Sequence, residues 1–161
     1  MARTTSGLKL LAAALLLALL PVAQVAALPI VAPQAELPRT KLRLDTSSGR
    51  HNYSVEIAAS PEQQERGLMF RTAMAANQGM IFPFAPPRPA SFWMENTILP
   101  LDIVFIGADS RVLNVAADAK PYSRDLIQSS GAAAAVLELN AGEAAKIGLK
   151  PGDAVRYKLP G

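Results

Sequence analysis

The sequence predicts a mainly β fold, either a β-sandwich or a partly closed barrel, with two or three short helices. Short segments in which apolar and polar residues alternate recur along the chain. Turn residues separate these segments, which is typical of antiparallel strands. The helical signals last only one or two turns. The chain has none of the glycine-rich phosphate loops or long helices that a nucleotide-binding α/β fold requires.

A hairpin is predicted at the start of the folded region. Leucines and basic residues alternate over residues 41–44, and polar residues alternate with larger, mostly apolar ones over residues 51–57. Residues 47–49, Ser-Ser-Gly, separate the two segments and favour a turn. The spacing therefore predicts two adjacent antiparallel strands.

A short helix is predicted to begin after Ser60. Ser60 and Gln63 can form a capping box, and Pro61 suits the first turn. Gly67 favours the end of this helix. Two further helical segments are predicted over residues 72–78 and 141–147.

The remaining strands are predicted from the same alternation and from β-branched content. They cover residues 80–82, 91–94, 101–106, 111–115, 135–139 and 153–159. Residues 83–90 contain four prolines and are predicted to form a loop. Residues 117–130 are polar, contain Pro121 and are also predicted to form a loop.

The N-terminus predicts a secretory signal peptide. Arg3 and Lys9 precede an apolar run over residues 10–20, which Pro21 ends. Small residues up to Ala27 suit a signal peptidase. The apolar run is shorter than the roughly 20 residues of a spanning helix, so an uncleaved anchor is the less favoured alternative. We expect a periplasmic or secreted protein.

The expected organisation is a signal peptide over residues 1–27, a proline-rich linker over residues 28–40 and a single β-rich domain over residues 41–161. The signal contains two basic residues and no acidic ones, so cleavage lowers the net charge from +3 to +1. This charge argues against nucleic acid, and against a membrane surface after cleavage, as partners. The absence of cysteine excludes disulfides and thiolate chemistry. We expect a monomer.

Two arginines suggest an anion-binding role. Arg66 and Arg71 flank the apolar residues 67–70. Paired guanidinium groups can hold a carboxylate or a phosphate. The alternative is that they form ion pairs within the fold, with Asp102 and Glu138 as partners. Structural pairs of this kind are the more common case.

Residues 91–106 contain polar side chains among apolar residues of the kind that fill protein cores. Trp93 could stack on a sugar or fill the core. Asn96 and Thr97 begin a turn, where such side chains commonly bond to the backbone. Asp102 lies within an apolar strand, so its carboxylate must find a donor, and an arginine is the expected partner.

No metal site, cofactor or catalytic residue is predicted. His51 is the only histidine, and no serine lies in a nucleophile elbow. The methionines could suit copper, but their spacing favours core packing. An alternative is a hydrolase or lyase of an envelope polymer that uses Asp102 and Glu138 as a carboxylate pair. A third reading is a structural accessory protein that docks a partner.

Six ordered segments resemble the family called domain of unknown function 192. They are RGLMFR (66–71), GMIF (79–82), FWMENT (92–97), PLDIVFI (100–106), LELNAG (137–142) and GLKPGD (148–153). The resemblance covers roughly residues 41–159. It implies a compact β-rich domain from small secreted or membrane-anchored proteins of bacteria and archaea, and it implies no established activity.

The leading hypothesis is a non-enzymatic periplasmic or secreted binding domain. Its ligand would be small and polar, such as a glycan or a peptide. The arginines would hold an anionic group, the indole would stack on the ligand and the aspartate would orient an arginine. The expected ligand-binding residues are Arg66, Arg71, Trp93, Asn96, Thr97 and Asp102.

Overall fold

The computed structural model describes residues 29–160. The described residues form strands β1 (Arg39–Thr46), β2 (Gly49–Ile57), β3 (Gln78–Phe92), β4 (Leu101–Gly107), β5 (Val112–Ala119), β6 (Ile127–Asn140) and β7 (Ala154–Tyr157), with helices α1 (Pro61–Arg66) and α2 (Glu143–Ile147). The predicted signal peptide, residues 1–27, lies outside the described residues. Within residues 29–160, no helix has the length and apolar content needed to cross a membrane.

The strands form one seven-stranded sheet in the order β5-β4-β6-β3-β2-β1-β7. Only β2 and β3 pair in parallel, and the other neighbours are antiparallel. The sheet curls into a half-barrel. This confirms the predicted mainly β fold in its partly closed barrel form, with two short helices.

The two edge strands meet at one end of the curled sheet. Arg111 and Ala154 form an isolated antiparallel bridge. The Val112 N–H donates to the Asp153 carbonyl, and the Val155 N–H donates to the Ser110 carbonyl, both at 2.9 Å. These hydrogen bonds form a seam between residues 110–112 and 152–155, which joins the two edges of the half-barrel at that point.

Each face of the sheet carries its own apolar cluster, because successive strand residues point to opposite sides. The first face includes Leu44, Val55, Ile81, Val104, Leu137 and Leu139. The second face includes Leu68, Met80, Phe82, Met94, Ile103, Phe105 and Val136. The residues that follow α1 pack on the second face, through Leu68.

The start of α1 matches its prediction. The Ser60 Oγ accepts a hydrogen bond from the Gln63 N–H at 3.3 Å, and the Gln63 side chain accepts one from the Ser60 N–H at 3.0 Å. Gly67 ends the helix with a positive φ of 47°. The β1–β2 hairpin is also confirmed, with Thr46 paired to Gly49 at its turn.

The loop predicted over residues 83–90 is wrong, because β3 continues through all four prolines. The pairing of β3 with β2 ends at Ile81, so beyond that residue β3 pairs only with β6. Proline is tolerated where one side of a strand is unpaired. Register shifts between Pro83 and Arg88, and between Pro89 and Ser91, absorb the remaining irregularity.

Three other boundaries also differ from their predictions. Residues 72–78 form no helix, and the only regular structure there is the first residue of β3. The loop predicted over residues 117–130 is confined to residues 120–126, because β5 and β6 extend into it. The strand predicted over residues 91–94 ends at Phe92.

The segment ahead of β1 contacts the folded core. The Gln34 side-chain amide donates to the carbonyls of Gln63 and Gly67, at 3.1 and 2.8 Å. The Leu37 N–H donates to the Glu56 carboxylate at 2.9 Å. Residues 34–37 therefore help to hold the end of α1 against the sheet.

Candidate functional site

A cavity of about 340 Å³ lies between α1 and the second face of the sheet. Buried side chains form its inner wall and exposed ones its mouth. The buried lining residues are Gly67, Leu68, Met69, Phe82, Thr97 and Glu138, and the exposed or partly exposed ones are Pro61, Gln64, Glu65, Arg66, Phe84, Arg88, Ser91, Phe92 and Trp93. The volume is that of a small-molecule site.

Glu138 supplies the buried titratable group of this cavity. It lies on the second face, between Met80 of β3 and Ile103 of β4 in the strand register. Its exposure is 5%, and its Oε2 has no hydrogen-bond partner among the described residues. Burial raises the pKa of Glu138 to about 8, because desolvation disfavours the charged form. The group is therefore a neutral carboxylic acid near pH 7.

Two arginines line the same cavity. Arg66 is the last residue of α1, and the Arg88 guanidinium lies over the Phe84 ring at 4.2 Å from its centroid. Neither arginine forms an ion pair with any acid among residues 29–160. Both positive charges are therefore free to meet an anionic ligand.

Trp93 lies at the mouth of the cavity. It directly follows β3 and is 46% exposed. The preceding Phe92 is held by edge-to-face contacts with Phe82 and Phe105. The backbone before Trp93 is thus anchored, while the indole itself stays open to a ligand.

Thr97 also lines the cavity and is buried. Its hydroxyl donates to the Glu95 carbonyl at 3.2 Å. The Glu95 carboxylate forms an ion pair with Arg124. Thr97 therefore supports the loop after Trp93.

Arg71 does not line the cavity. Its guanidinium donates to both carboxylate oxygens of Glu56, at 3.0 and 2.8 Å. Arg39 donates to the same carboxylate at 3.0 Å. Arg71 belongs to a structural ion-pair cluster, and the predicted partners Asp102 and Glu138 are both wrong for it.

Asp102 also lies outside the cavity. Its two oxygens accept hydrogen bonds from the Ala144 N–H at 2.7 Å and the Asp118 N–H at 2.9 Å. The expected arginine partner is wrong, because backbone donors satisfy the carboxylate. Gly142 has no side chain to cap α2, and the bond from Asp102 to Ala144 takes that role.

The carboxylate pair expected for a hydrolase or lyase is not formed. Asp102 pairs in register with Leu139, whose side chain lies on the first face. Glu138 is the neighbouring residue and therefore points to the second face. The backbone of the sheet separates the two carboxyl groups, so they cannot act on one substrate.

Asn96 has a structural position next to the cavity. Its φ is positive, at 55°, and its carbonyl accepts a hydrogen bond from the Phe70 N–H at 2.8 Å. Its side-chain amide lies 4.0 Å from the Met69 sulfur. Asn96 thus ties the loop after Trp93 to the segment after α1.

The structure brings together three of the six predicted residues, Arg66, Trp93 and Thr97. Two residues of the cavity lining, Glu138 and Arg88, are not among the predicted ligand-binding residues. Glu138 is predicted only as an ion-pair or catalytic partner. The sequence signal for Glu138 is a single acid between two apolar residues of a predicted strand. The four prolines of residues 83–90 predict a loop, so the sequence gives no signal for Arg88.

The methionines of residues 29–160 contribute to packing. Met80 and Met94 are buried in the cluster on the second face, Met74 packs against that cluster, and Met69 is also buried. Among residues 29–160, no group of three or more histidines or acids is arranged to hold a metal ion.

Comparison with known proteins gives a family but no activity. The family model described as "Uncharacterized ACR, COG1430" (DUF192) matches residues 43–157, which confirms the resemblance found in the sequence segments. A crystal structure of a protein of unknown function from Novosphingobium aromaticivorans is 46% identical, with a TM-score of 0.75, and the match covers 81% of this chain and 94% of that chain. Another, described as a candidate transcription regulator from Sinorhizobium meliloti, is 42% identical, with a TM-score of 0.74, and the match covers 77% and 97%. No curated protein gives a significant match.

Proposed function

Since this chain belongs to the DUF192 family, whose description states no activity, we propose from its cavity that it is a non-enzymatic periplasmic or secreted binding domain. Its ligand is small and polar, such as a glycan or a peptide. The site consists of Arg66, Arg88, Trp93 and Glu138, with Thr97 as a supporting residue. This set replaces the predicted ligand-binding residues. Three of those, Arg71, Asn96 and Asp102, have structural roles instead.

One observation carries the proposal. The Glu138 carboxyl is buried in the wall of a cavity with an oxygen that has no partner among the described residues. An unsatisfied buried polar group costs about 1–3 kcal/mol, so folds rarely retain one without a use. A ligand that bonds to Glu138 would remove this cost on binding.

The cavity favours binding over catalysis. Glu138 is its one buried acid, and the second carboxyl that a glycosidase needs lies on the other face of the sheet. The remaining acid in the lining, Glu65, is exposed on α1. A single neutral acid and two cations can orient a ligand without breaking a bond in it.

The partners follow from charge and helix length. The description of the Sinorhizobium relative refers to transcription, but the described helices of this chain have six and five residues. Helices of that length provide no recognition helix for a DNA groove, and a net charge of +1 after cleavage does not favour a polyanion. We propose a monomer that has no nucleic-acid partner and no membrane contact after cleavage.

The localisation can be tested directly. Cell fractionation should place the protein in the periplasm or the medium, and N-terminal sequencing of that material should begin after Ala27 or at a nearby small residue. Full-length protein in the membrane fraction would instead support the uncleaved anchor.

Binding can be followed through Trp93, because it is the only tryptophan of the chain. The purified domain is titrated with envelope glycans and peptides while its fluorescence is recorded, and calorimetry gives the Kd. We expect at least one compound to saturate the fluorescence change with a Kd below about 1 mM, which is roughly 4 kcal/mol of binding free energy.

Two variants make this test specific. Arg66→Ala removes a cavity cation and should weaken binding at least tenfold. Arg156→Ala removes an exposed arginine of β7, distant from the cavity lining, and should leave the Kd unchanged. The absence of any ligand with a Kd below 1 mM, or an equal loss in both variants, would overturn the proposal.

A further inference from the structure

The volume of the cavity suits a small ligand. A cavity of about 340 Å³ lies at the lower end of the range of small-molecule sites. One monosaccharide unit or a dipeptide fits within it.

The charges of the lining favour an anionic ligand. Arg66 and Arg88 have no acidic partner among residues 29–160. The buried acid, Glu138, is neutral at pH 7 because its pKa is raised to about 8, and Glu65 is exposed. The mouth of the cavity therefore carries two cations and one anion, and guanidinium groups bind carboxylates with paired hydrogen bonds.

The inner wall requires a polar ligand group as well. A neutral carboxyl group both donates and accepts hydrogen bonds, and a hydroxyl group matches both roles. An aromatic acid could meet the arginines, but its hydrocarbon ring would leave Glu138 without a partner. A ligand that carries hydroxyl groups in addition to its anionic group therefore satisfies Glu138.

The walls also require an apolar ligand face. Phe82 and Phe92 line the cavity, and the Trp93 indole is open at its mouth. Aromatic rings commonly pack against extended or ring-shaped apolar surfaces. A sugar ring presents such a face of C–H groups beside its hydroxyls, so a sugar acid combines all three features in one unit.

We propose that the cavity binds a sugar acid, with the ligand carboxylate held by Arg66 and Arg88, a ligand hydroxyl bonded to Glu138, and the sugar ring against Trp93. This inference rests on the proposed binding function and specifies its ligand class. The ligand is either a free uronic acid or one uronic acid unit of a polymer.

This arrangement makes binding dependent on pH. The groups that line the cavity with Glu138 are Arg66 and Glu65 from α1 and Arg88 from β3, and its register neighbours Met80 and Ile103 are neutral. Loss of the Glu138 proton creates a buried negative charge beside an anionic ligand. Binding should therefore weaken as the pH rises through about 8.

The test uses calorimetry with D-glucuronate, D-glucose and benzoate at pH 6.5 and pH 9, and with a trimer of uronic acid units. We expect glucuronate to bind at least tenfold more tightly than glucose or benzoate at pH 6.5. Its own binding at pH 9 should be about tenfold weaker than at pH 6.5. Equal binding of glucose would overturn the carboxylate contact, and equal binding of benzoate would overturn the hydroxyl contact. Tighter binding of the trimer would identify a polymer as the source, and equal or weaker binding would identify the free sugar acid.

Variants separate the Glu138 effect from other causes. Glu138→Gln retains a group that donates and accepts but cannot titrate, so its Kd at pH 9 should stay within about twofold of its own Kd at pH 6.5. Arg156→Ala should show the full pH response of the natural protein. Circular dichroism at each pH distinguishes unfolding from weak binding. A Glu138→Gln protein that keeps the tenfold response would overturn the role of Glu138.

The outcomes also distinguish this inference from the function on which it rests. If glucuronate and the trimer fail but another glycan or peptide binds in the Trp93 titration, the sugar-acid inference is wrong and the binding function stands. If no compound binds, both are wrong.

Discussion

Glu56 and Glu138 lie on the same face of the sheet, and each is paired in register with Met80 from opposite sides. The two acids are 3% and 5% exposed, so both are removed from water. Glu56 meets two guanidinium groups, whereas Glu138 meets none and faces the cavity. One row of the sheet thus contains a carboxylate that forms two ion pairs and a carboxyl group that forms none among the described residues.

Glu138 should make stability fall as the pH rises. Its pKa is about 8 in the folded protein, against an ordinary value of 4.5, so the folded state binds more protons between these values. The stabilisation is complete below about pH 4.5 and is lost as the pH rises through about 8. Glu138→Gln should remove this loss, so the two proteins should diverge by up to about 4 kcal/mol between pH 4 and pH 9.

Urea denaturation of both proteins across this pH range measures the difference. Other titrating groups are common to both proteins and cancel in the comparison. A constant difference between the two unfolding free energies would show that Glu138 does not titrate in this way.

Arg71 and Arg66 should differ in their effects on stability. Arg71→Ala leaves the buried Glu56 carboxylate with only one of its two guanidinium partners and should cost about 2–4 kcal/mol. Arg66→Ala removes no ion pair within the described residues and should change the unfolding free energy by less than about 0.5 kcal/mol. Chemical denaturation measures both, and equal losses would contradict the assignment of Arg71 to the fold and Arg66 to the cavity.

Asp102→Asn should destabilise the protein by roughly 2–3 kcal/mol. The amide retains one acceptor oxygen, but its NH₂ group would face a backbone N–H, either that of Ala144 or that of Asp118. Asp109→Asn is the matched control, because Asp109 is exposed and accepts only from the Arg111 N–H. Thermal unfolding should show a lowered Tm for Asp102→Asn alone.

Gly79→Ala should destabilise the sheet by about 2–3 kcal/mol. A Cβ at Gly79 would lie 2.5 Å from the Glu138 carbonyl oxygen and 3.0 Å from the Leu139 Cδ2. A Cβ at Gly131, in the first half of β6, would meet nothing within 4 Å. Gly131→Ala should therefore be neutral or stabilise by up to about 1 kcal/mol. Unfolding free energies that rank the two variants in the opposite order would contradict the packing at Gly79.

Local signals in the sequence predicted much of the fold. The capping box at Ser60 and the alternation of residues 51–57 depend on neighbours in the chain, and both predictions are confirmed. The course of residues 83–90 depends on where β2 stops pairing with β3, which is a tertiary property. The prolines of residues 83–90 predict a loop, because the sequence does not show that β3 is unpaired on one side there.

The candidate site was less predictable for a related reason. Strand alternation shows that Glu138 and Asp102 are buried, but it does not show what covers each face. The backbone amides of Ala144 and Asp118 reach Asp102 from α2 and β5, and Glu138 faces the gap under α1. The partner of a buried carboxyl depends on packing between distant elements, which one sequence does not reveal.

The seam between residues 110–112 and 152–155 has a consequence for biosynthesis. Residues 152–155 of the seam include the first two residues of β7, which follows every other strand in the chain. A nascent chain therefore has exposed strand edges on β5 and β1 until the ribosome has released residues 152–157, and unpaired edges of this kind promote aggregation. Truncation before β7 should yield insoluble protein, even though the cavity residues are all translated earlier.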